Sequence, residues 1–332
     1  MKTSVGAVGS FMFVAVLFLC SACGFAVTGK TIVPSKTYVT REVSATHVTS
    51  IVAYASVNVV YYQTAGSPRI EIYAPENILP YIDVVVSDGE LKAGIKLKNG
   101  ESVRWGNSKC EVRVYAPEVI SFAASSSADI KLSTALNTAK PVRIHSSSSG
   151  DVDASAIKCG ELDMEASSSG DIKLSDVVCN GKVTLDISSS GDINIDKLDG
   201  GAFFLSASSS GDCNMGSLVS SADVEMEASS SGGCEVKSVT CSGNISAAAS
   251  SSGDIVLKNG SCRDAVFSAT SSGNVVADNV KAGNVTASAS TSGDITCHPS
   301  GTLTVKVSTG GSVGYKGSPA HISGDVKKVS RL

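Results

Sequence analysis

The sequence predicts an all-β solenoid, a single parallel β-helix with coils of about 20 residues. Three observations predict it. A six-residue motif recurs ten times at nearly constant spacing. Apolar residues alternate at period two on both sides of it, as in strands with one face inward. The apolar spacing of three and four that a helix requires occurs in none of the copies.

SSSADI ends at Ile130, SSSGDV at Val152, and SSSGDI at Ile172, Ile193 and Ile255. SSSGDC ends at Cys213, SSSGGC at Cys234, TSSGNV at Val275, STSGDI at Ile295 and the degenerate STGGSV at Val313. The aligned Ala or Gly runs from Ala128 to Gly311 in nine steps of about 20 residues. With that residue as position zero, −8 holds Val142, Leu162, Val183 and Phe203, and −6 holds Ile144, Met164, Leu185 and Leu205. Position −4 is mostly alanine, which fits a narrow corner, and +2 and +4 are apolar or Cys. Coils stacked at about 4.8 Å turn nine steps into a rod of about 43 Å.

The flanks differ from the repeats. Residues 38–127 carry strand-like runs such as IVAYASVNVVYYQ and two loose echoes, IYAPENI and VYAPEVI. They are expected to form irregular N-terminal coils. Residues 128–313 are the regular repeats, and 314–332, rich in Gly, Pro and charge, are expected to cap the last coil.

Composition narrows the partners. The net charge of −4 lacks the basic excess that nucleic-acid binding requires. Apolar residues make up 42% of the chain, enough for a core despite the abundance of Ser and Gly. The N-terminus is a targeting segment. Lys2 precedes the apolar run FMFVAVLFLC, and CSAC follows. Residues 1–22 are read as a lipoprotein-type signal, Cys23 as the acylated residue and 23–37 as a linker. Ordinary cleavage near Ala22 to Ala26 is the second reading, and both export the chain. GFAVTGKT, residues 24–31, has the letters of a phosphate-binding loop. Its neighbours are a cleavage site and β-rich sequence instead of the required strand and helix, so the match is read as coincidence.

REVSATHVTSIVAYASVNVVYYQ, VYAPEVISFAASSSADI, the SSSGDI units and YKGSPAHISGDV together span roughly 40–328. At these residues the chain resembles the auto-transporter adhesin head family, the GIN domain. The resemblance implies a right-handed parallel β-helix in exported, often lipid-anchored proteins of Gram-negative cell envelopes. It brings no catalytic residues.

Four sets of side chains are candidates for chemistry. Position +1 holds Asp129, Asp151, Asp171, Asp192, Asp212, Asp254 and Asp294. Neighbouring carboxylates about 4.8 Å apart repel by roughly 0.9 kcal/mol in water, so something must offset the ladder. Hydrogen bonds from corner serine hydroxyls and backbone N–H groups are the plainer answer. Weak Ca²⁺ binding between successive carboxylates is the sharper one; otherwise no cofactor is expected. At −2, strand alternation would turn Ser148, Ser168, Ser189, Ser209, Ser230 and Ser251 inward as a buried hydroxyl ladder. No base accompanies them as a nucleophile would need, since only His145 lies near a serine motif. Cys213 with Cys234, Cys159 with Cys179, and Cys241 with Cys262 occupy matching phases of adjacent coils. They are read either as small core hydrophobes or as inter-coil disulfides, and none has zinc-ligand spacing. Trp105, beside Arg104, is an exposed contact or a buried cap residue.

The functional expectation is a non-enzymatic cell-envelope module that presents a rigid Ser/Asp surface to a glycan or protein. A β-helix polysaccharide-active enzyme and a purely structural spacer are the competing classes. The enzyme would need a local, non-repeating cluster of carboxylates and bases.

Overall fold

The computed structural model describes residues 29–332. The signal segment and Cys23 lie outside the described residues. The coil that contains LDISSSGDINID shows the plan. Val183–Ile187 is a five-residue strand, Ser188 to Gly191 turn the corner, and Asp192–Gly200 is a nine-residue strand. Strands of the first kind stack in register into a 14-stranded sheet; Val183 pairs with Leu162 below and Phe203 above. Strands of the second kind form a 17-stranded sheet.

The core follows from the alternation. Val183, Leu185, Ile187, Ile193 and Ile195 are each 2% exposed or less. The longer strand then breaks phase. Asp196 and Lys197 are both exposed, and Leu198 turns inward again. A strand cannot keep its alternation through two outward residues, so the chain bends there and opens a third side of the cross-section.

The corner departs from the sequence expectation. Strand alternation does not continue into it. Ser189 and Ser190 both have positive φ, 52° and 67°, and the pattern repeats at every serine corner from Ser126 to Ser292. The Gly191 N–H donates to the Ser188 carbonyl at 3.0 Å. Two left-handed central residues closed by that hydrogen bond make a type I′ turn. The turn carries Ser148, Ser168, Ser189, Ser209, Ser230 and Ser251 outward, and all six are exposed. The expected buried hydroxyl ladder is therefore wrong. A serine that is buried next to a corner, Ser146, takes the −4 place and donates to the Gly150 carbonyl.

The glycine is needed for space. Gly191 does not have positive φ, so the serines make the bend. A Cβ on Gly191 would lie 2.6 Å from the Ala166 carbonyl carbon and the Ser167 nitrogen of the preceding coil. Gly170 and Gly232 meet the same obstruction.

The N-terminal region is irregular in a specific way. Ser50–Ala53 and Asn58–Gln63 form one more coil, turned by Ala55 and Ser56 at φ 53° and 63°. It stacks on Ser121–Ala124 and Ile130–Leu132. Glu90–Ile95 and Glu111–Ala116 lie outside it, so coil order along the axis departs from chain order. The antiparallel strands Ile82–Ser87, Arg69–Pro75 and Tyr38–Val43 then end both sheets. Trp105 packs half-buried against the core. Lys30–Ile32, within the segment read as a linker, pairs with Glu101–Val103. Lys30 and Thr31 of the phosphate-loop-like motif thus sit in a strand, and the next described element is again a strand.

At the other end, residues 314–332, read as a cap, add two further strands to the stack. His321–Gly324 pairs parallel with Thr302–Val307, and Val329–Arg331 with Ser312–Tyr315. Lys327, Lys328 and Arg331 place charge along this last edge, which discourages further strand addition.

Candidate functional site

The +1 carboxylates form a ladder whose partners are mostly backbone. Asp129 Oδ1 accepts the Asp151 N–H at 3.3 Å, Asp151 Oδ1 the Asp171 N–H at 3.2 Å, and Asp192 Oδ1 the Asp212 N–H at 3.2 Å. Each carboxylate thus ties its coil to the next. Further along, Asp254 accepts from the Asn274 side chain at 2.8 Å and Asp294 from the Ser312 hydroxyl at 2.5 Å. Asp212 faces Gly233, where the column is interrupted.

Burial and repulsion leave a residue of strain in this column. Asp171 is held above the ordinary carboxylate range, first by desolvation and then by the charges of Asp151 and Asp192. Desolvation likewise raises Asp129. A raised carboxyl favours the fold below its unfolded value, and that contribution is lost as pH rises through the folded value. Asp171→Asn keeps an acceptor oxygen and removes the charge; Asn58 already fills the equivalent role toward the Asp129 N–H at 3.2 Å. The variant is expected to be more stable than the parent at neutral pH by about 0.5 kcal/mol after solvent screening. The gain should vanish near pH 3, where both chains are neutral at this position. Urea unfolding at the two pH values checks it; an equal gain at both would exclude charge as the cause.

A second ladder escaped the sequence reading. At −9, the Asn244 N–H donates to Asp223 Oδ1 at 2.8 Å and the Asn284 N–H to Asp264 Oδ1 at 2.7 Å. The signal was present as an Asp/Asn alternation at the repeat period.

The cysteines are in register and free. Cys159 pairs with Cys179 and Cys213 with Cys234 in the strand register, and Cys241 and Cys262 follow the paired Thr240 and Ser261. All six are thiols here, as are the buried Cys110 and Cys297. Burial, then the hydrogen bond to Cys234, holds the Cys213 thiol well above the usual range. At the third corner the thiol also acts as a weak donor. Cys241 Sγ donates to the Ala222 carbonyl at 3.1 Å, and Ser220, one coil earlier, donates to the Gly201 carbonyl at 2.6 Å. A small donor satisfies a corner carbonyl at this place, a role that neither sequence reading contained.

His145 does not face the serines. Its Nδ1 lies 3.2 Å from Glu165 on the outer face of the 14-stranded sheet. Among the described residues, no group of three or more His, Cys, Asp or Glu side chains converges as metal ligands would. No helix of the described residues is long and apolar enough to cross a membrane.

The outer face of the second sheet carries a shallow depression along its strands. A groove of about 530 Å³ runs there across successive coils, past Lys131, Ser133, Asp153, Ser155, Lys173 and Ser175. It continues along Asn194, Asp196, Asn214, Glu235 and Lys237. These are the outward +3 and +5 columns. At its N-terminal end, Ser133 is followed in register by Tyr62 and Tyr115, whose rings stack at 4.8 Å and 11°. The Arg69 guanidinium covers the far side of Tyr115, 4.0 Å from the ring centre. Sequence reasoning missed this arrangement because the tyrosines lie outside the motif's repeat, on strands whose coil order is scrambled.

The fold and its ladders define a β-solenoid that presents repeated polar surfaces along one axis. Residues 47–237 and 203–319 match the family model described as "Putative auto-transporter adhesin, head GIN domain", and the chain belongs to that family. No curated protein matches it. It is similar to the solved structure of a "putative adhesin" from Bacteroides fragilis, with 21% identity, 90% of this chain and 95% of that one covered, and a TM-score of 0.38. It is also similar to a "putative adhesin" from Parabacteroides merdae, at 19% identity, 92% and 100% coverage and TM-score 0.33. A third similar structure is a "putative lipid binding protein" from Parabacteroides distasonis, at 17% identity, 91% and 100% coverage and TM-score 0.30.

Proposed function

We propose that the protein is a non-enzymatic adhesin-type module of a Gram-negative cell envelope that holds a glycan or a protein on its rigid outer surface. Family membership supports the adhesin class. One structural observation carries the binding role. The corners expose paired serines in a left-handed conformation that serine disfavours, while the corner's own hydrogen bonds are made by backbone groups. Asn-Gly would turn the same corner with less strain, so the repeated hydroxyl ridge serves something outside the fold. The ridge and the Asp ladder beside it run the length of the repeats. Weak Ca²⁺ held between successive Asp oxygens belongs to the same proposal, and identical melting with Ca²⁺ and with EDTA would remove it.

The module is held at the membrane through a lipid on Cys23. Fatty-acid labelling of the expressed chain should disappear in Cys23→Ser; labelling that persists would remove the anchor from the proposal. The binding role is tested by immobilising the purified protein, passing envelope extract over it and probing a glycan array with it. Saturable retention of an envelope component, or of a glycan, is expected. Turnover of a polysaccharide by the purified protein, or the absence of retention in both assays, would overturn the proposal.

A further inference from the structure

We infer that the axial groove on the 17-stranded sheet is a binding site in addition to the serine ridge and that its ligand is a neutral linear polysaccharide; this rests on the binding-module reading above. The first support is shape. The groove follows the stacking axis, because it is built from one pair of columns, +3 and +5, repeated coil after coil. From the coil of Lys131 to that of Glu235 it crosses six coils, about 24 Å at the spacing of stacked strands. A linear glycan is a polymer with its own short axial repeat, so successive sugars meet successive coils.

The second support is charge. Lys131, Lys173 and Lys237 face Asp153, Asp196 and Glu235, so the lining holds three charges of each sign. An anionic or cationic polymer would meet as much repulsion as attraction. Neutral hydroxyl-rich chains gain hydrogen bonds from both signs. Ser133, Ser155 and Ser175 form an exposed hydroxyl row, and the Asn214 amide donates to Asn194 Oδ1 at 3.3 Å, which orients both amides along the groove. Among the described residues, Lys131, Asp153 and Asp196 form no ion pair with one another, although Lys131 and Asp153 are strand neighbours.

The third support is closure. The stack of Tyr62, Tyr115 and Arg69 forms a wall beyond Ser133, and Tyr62 presents its remaining ring face toward the groove. At the other end, Glu235 is bridged to Lys258 at 2.6 Å, one coil further on. The walls set a finite length, so affinity should rise with chain length and then level off.

The test uses the full-length chain with cello-, manno- and malto-oligosaccharides of two to eight sugars, read by titration calorimetry. At least one series is expected to bind, with affinity rising over the first five or six sugars and flat beyond. Ser155→Trp fills the groove from an exposed position, and Ser206→Trp places the same bulk on the outer face of the other sheet. The first should weaken binding at least tenfold and the second leave it unchanged, with both proteins melting like the parent. Saturable binding that Ser155→Trp does not weaken would overturn the groove while leaving the binding-module reading standing. A preference for uronic-acid polymers, or capture of an envelope protein with no oligosaccharide bound, would overturn the neutral-glycan assignment. Failure of every ligand, envelope extract included, would overturn both.

Discussion

Gly191→Ala is expected to lower the stability of the solenoid by about 3 kcal/mol, at the upper end of what overpacking costs. The added Cβ would sit 2.6 Å from two backbone atoms of the preceding coil, Ala166 C and Ser167 N. Backbone in a stacked sheet cannot rotate away as the tip of a side chain can. The coil must lift, and lifting it stretches its pairings with the preceding coil, Asp171 to Asp192 in one sheet and Leu162 to Val183 in the other. Gly200→Ala, nine residues on, is the internal control. Its nearest neighbours are the side-chain atoms Val183 Cγ2 at 3.3 Å and Leu198 Cδ2 at 3.4 Å. Ser220 and Cys241 already carry side chains at the equivalent place, so Gly200→Ala should cost less than about 1 kcal/mol. Urea midpoints of the two variants decide. Equal loss would mean that the stack is more compliant than close packing implies.

The corner serines give the second large effect, and its sign depends on the substitution. Ser190 sits at φ 67°. Proline fixes φ near −65°, so Ser190→Pro should cost about 3 kcal/mol or more and open the corner. Ser189→Asn with Ser190→Gly installs the pair that a type I′ turn prefers and should raise stability by about 1 kcal/mol. The gain is smaller than the strain relieved, because glycine also loosens the unfolded chain. Chemical denaturation of the two variants beside the parent tests both signs. A stabilised Asn-Gly corner that also loses ligand binding would separate the two uses of the ridge: serine adds little to the fold there and contributes to the surface. A loss of stability in the Asn-Gly variant would show instead that the serines are optimal for the turn itself.

The same corner shows where a one-dimensional reading stops. Period-two alternation located Leu185, Ile187, Ile193 and Ile195 in the core, and all four are buried. Carried two residues further into the corner, the same rule turned Ser189 the wrong way. Alternation is a property of extended backbone, and two residues with positive φ reset it. Nothing in the letters SSS announces that conformation, since Asn and Gly are the usual signal. The glycine's role was hidden for a related reason. In a single chain a glycine at a turn reads as a source of flexibility, whereas Gly191 is required by a neighbour 24 residues away in sequence and one coil away in space. The +1 ladder was legible as a column. Backbone N–H groups were expected among its partners; that they belong to the Asp of the next coil depends on the stacking and leaves no trace in the sequence.

The sequence by itself determined the solenoid, its period, its core columns and the outward Asp row, because each depends on a residue type recurring at a fixed interval. Only the tertiary structure decided the rest. The scrambled coil order at the N-terminus depends on pairings between segments with no shared pattern. The outward serines depend on local dihedral angles. The groove depends on stacking, since +3 and +5 residues that are merely polar in the sequence line one surface only where successive coils bring them together. Periodicity records which side of a strand a residue takes; it does not record how the strand bends or what stacks above it.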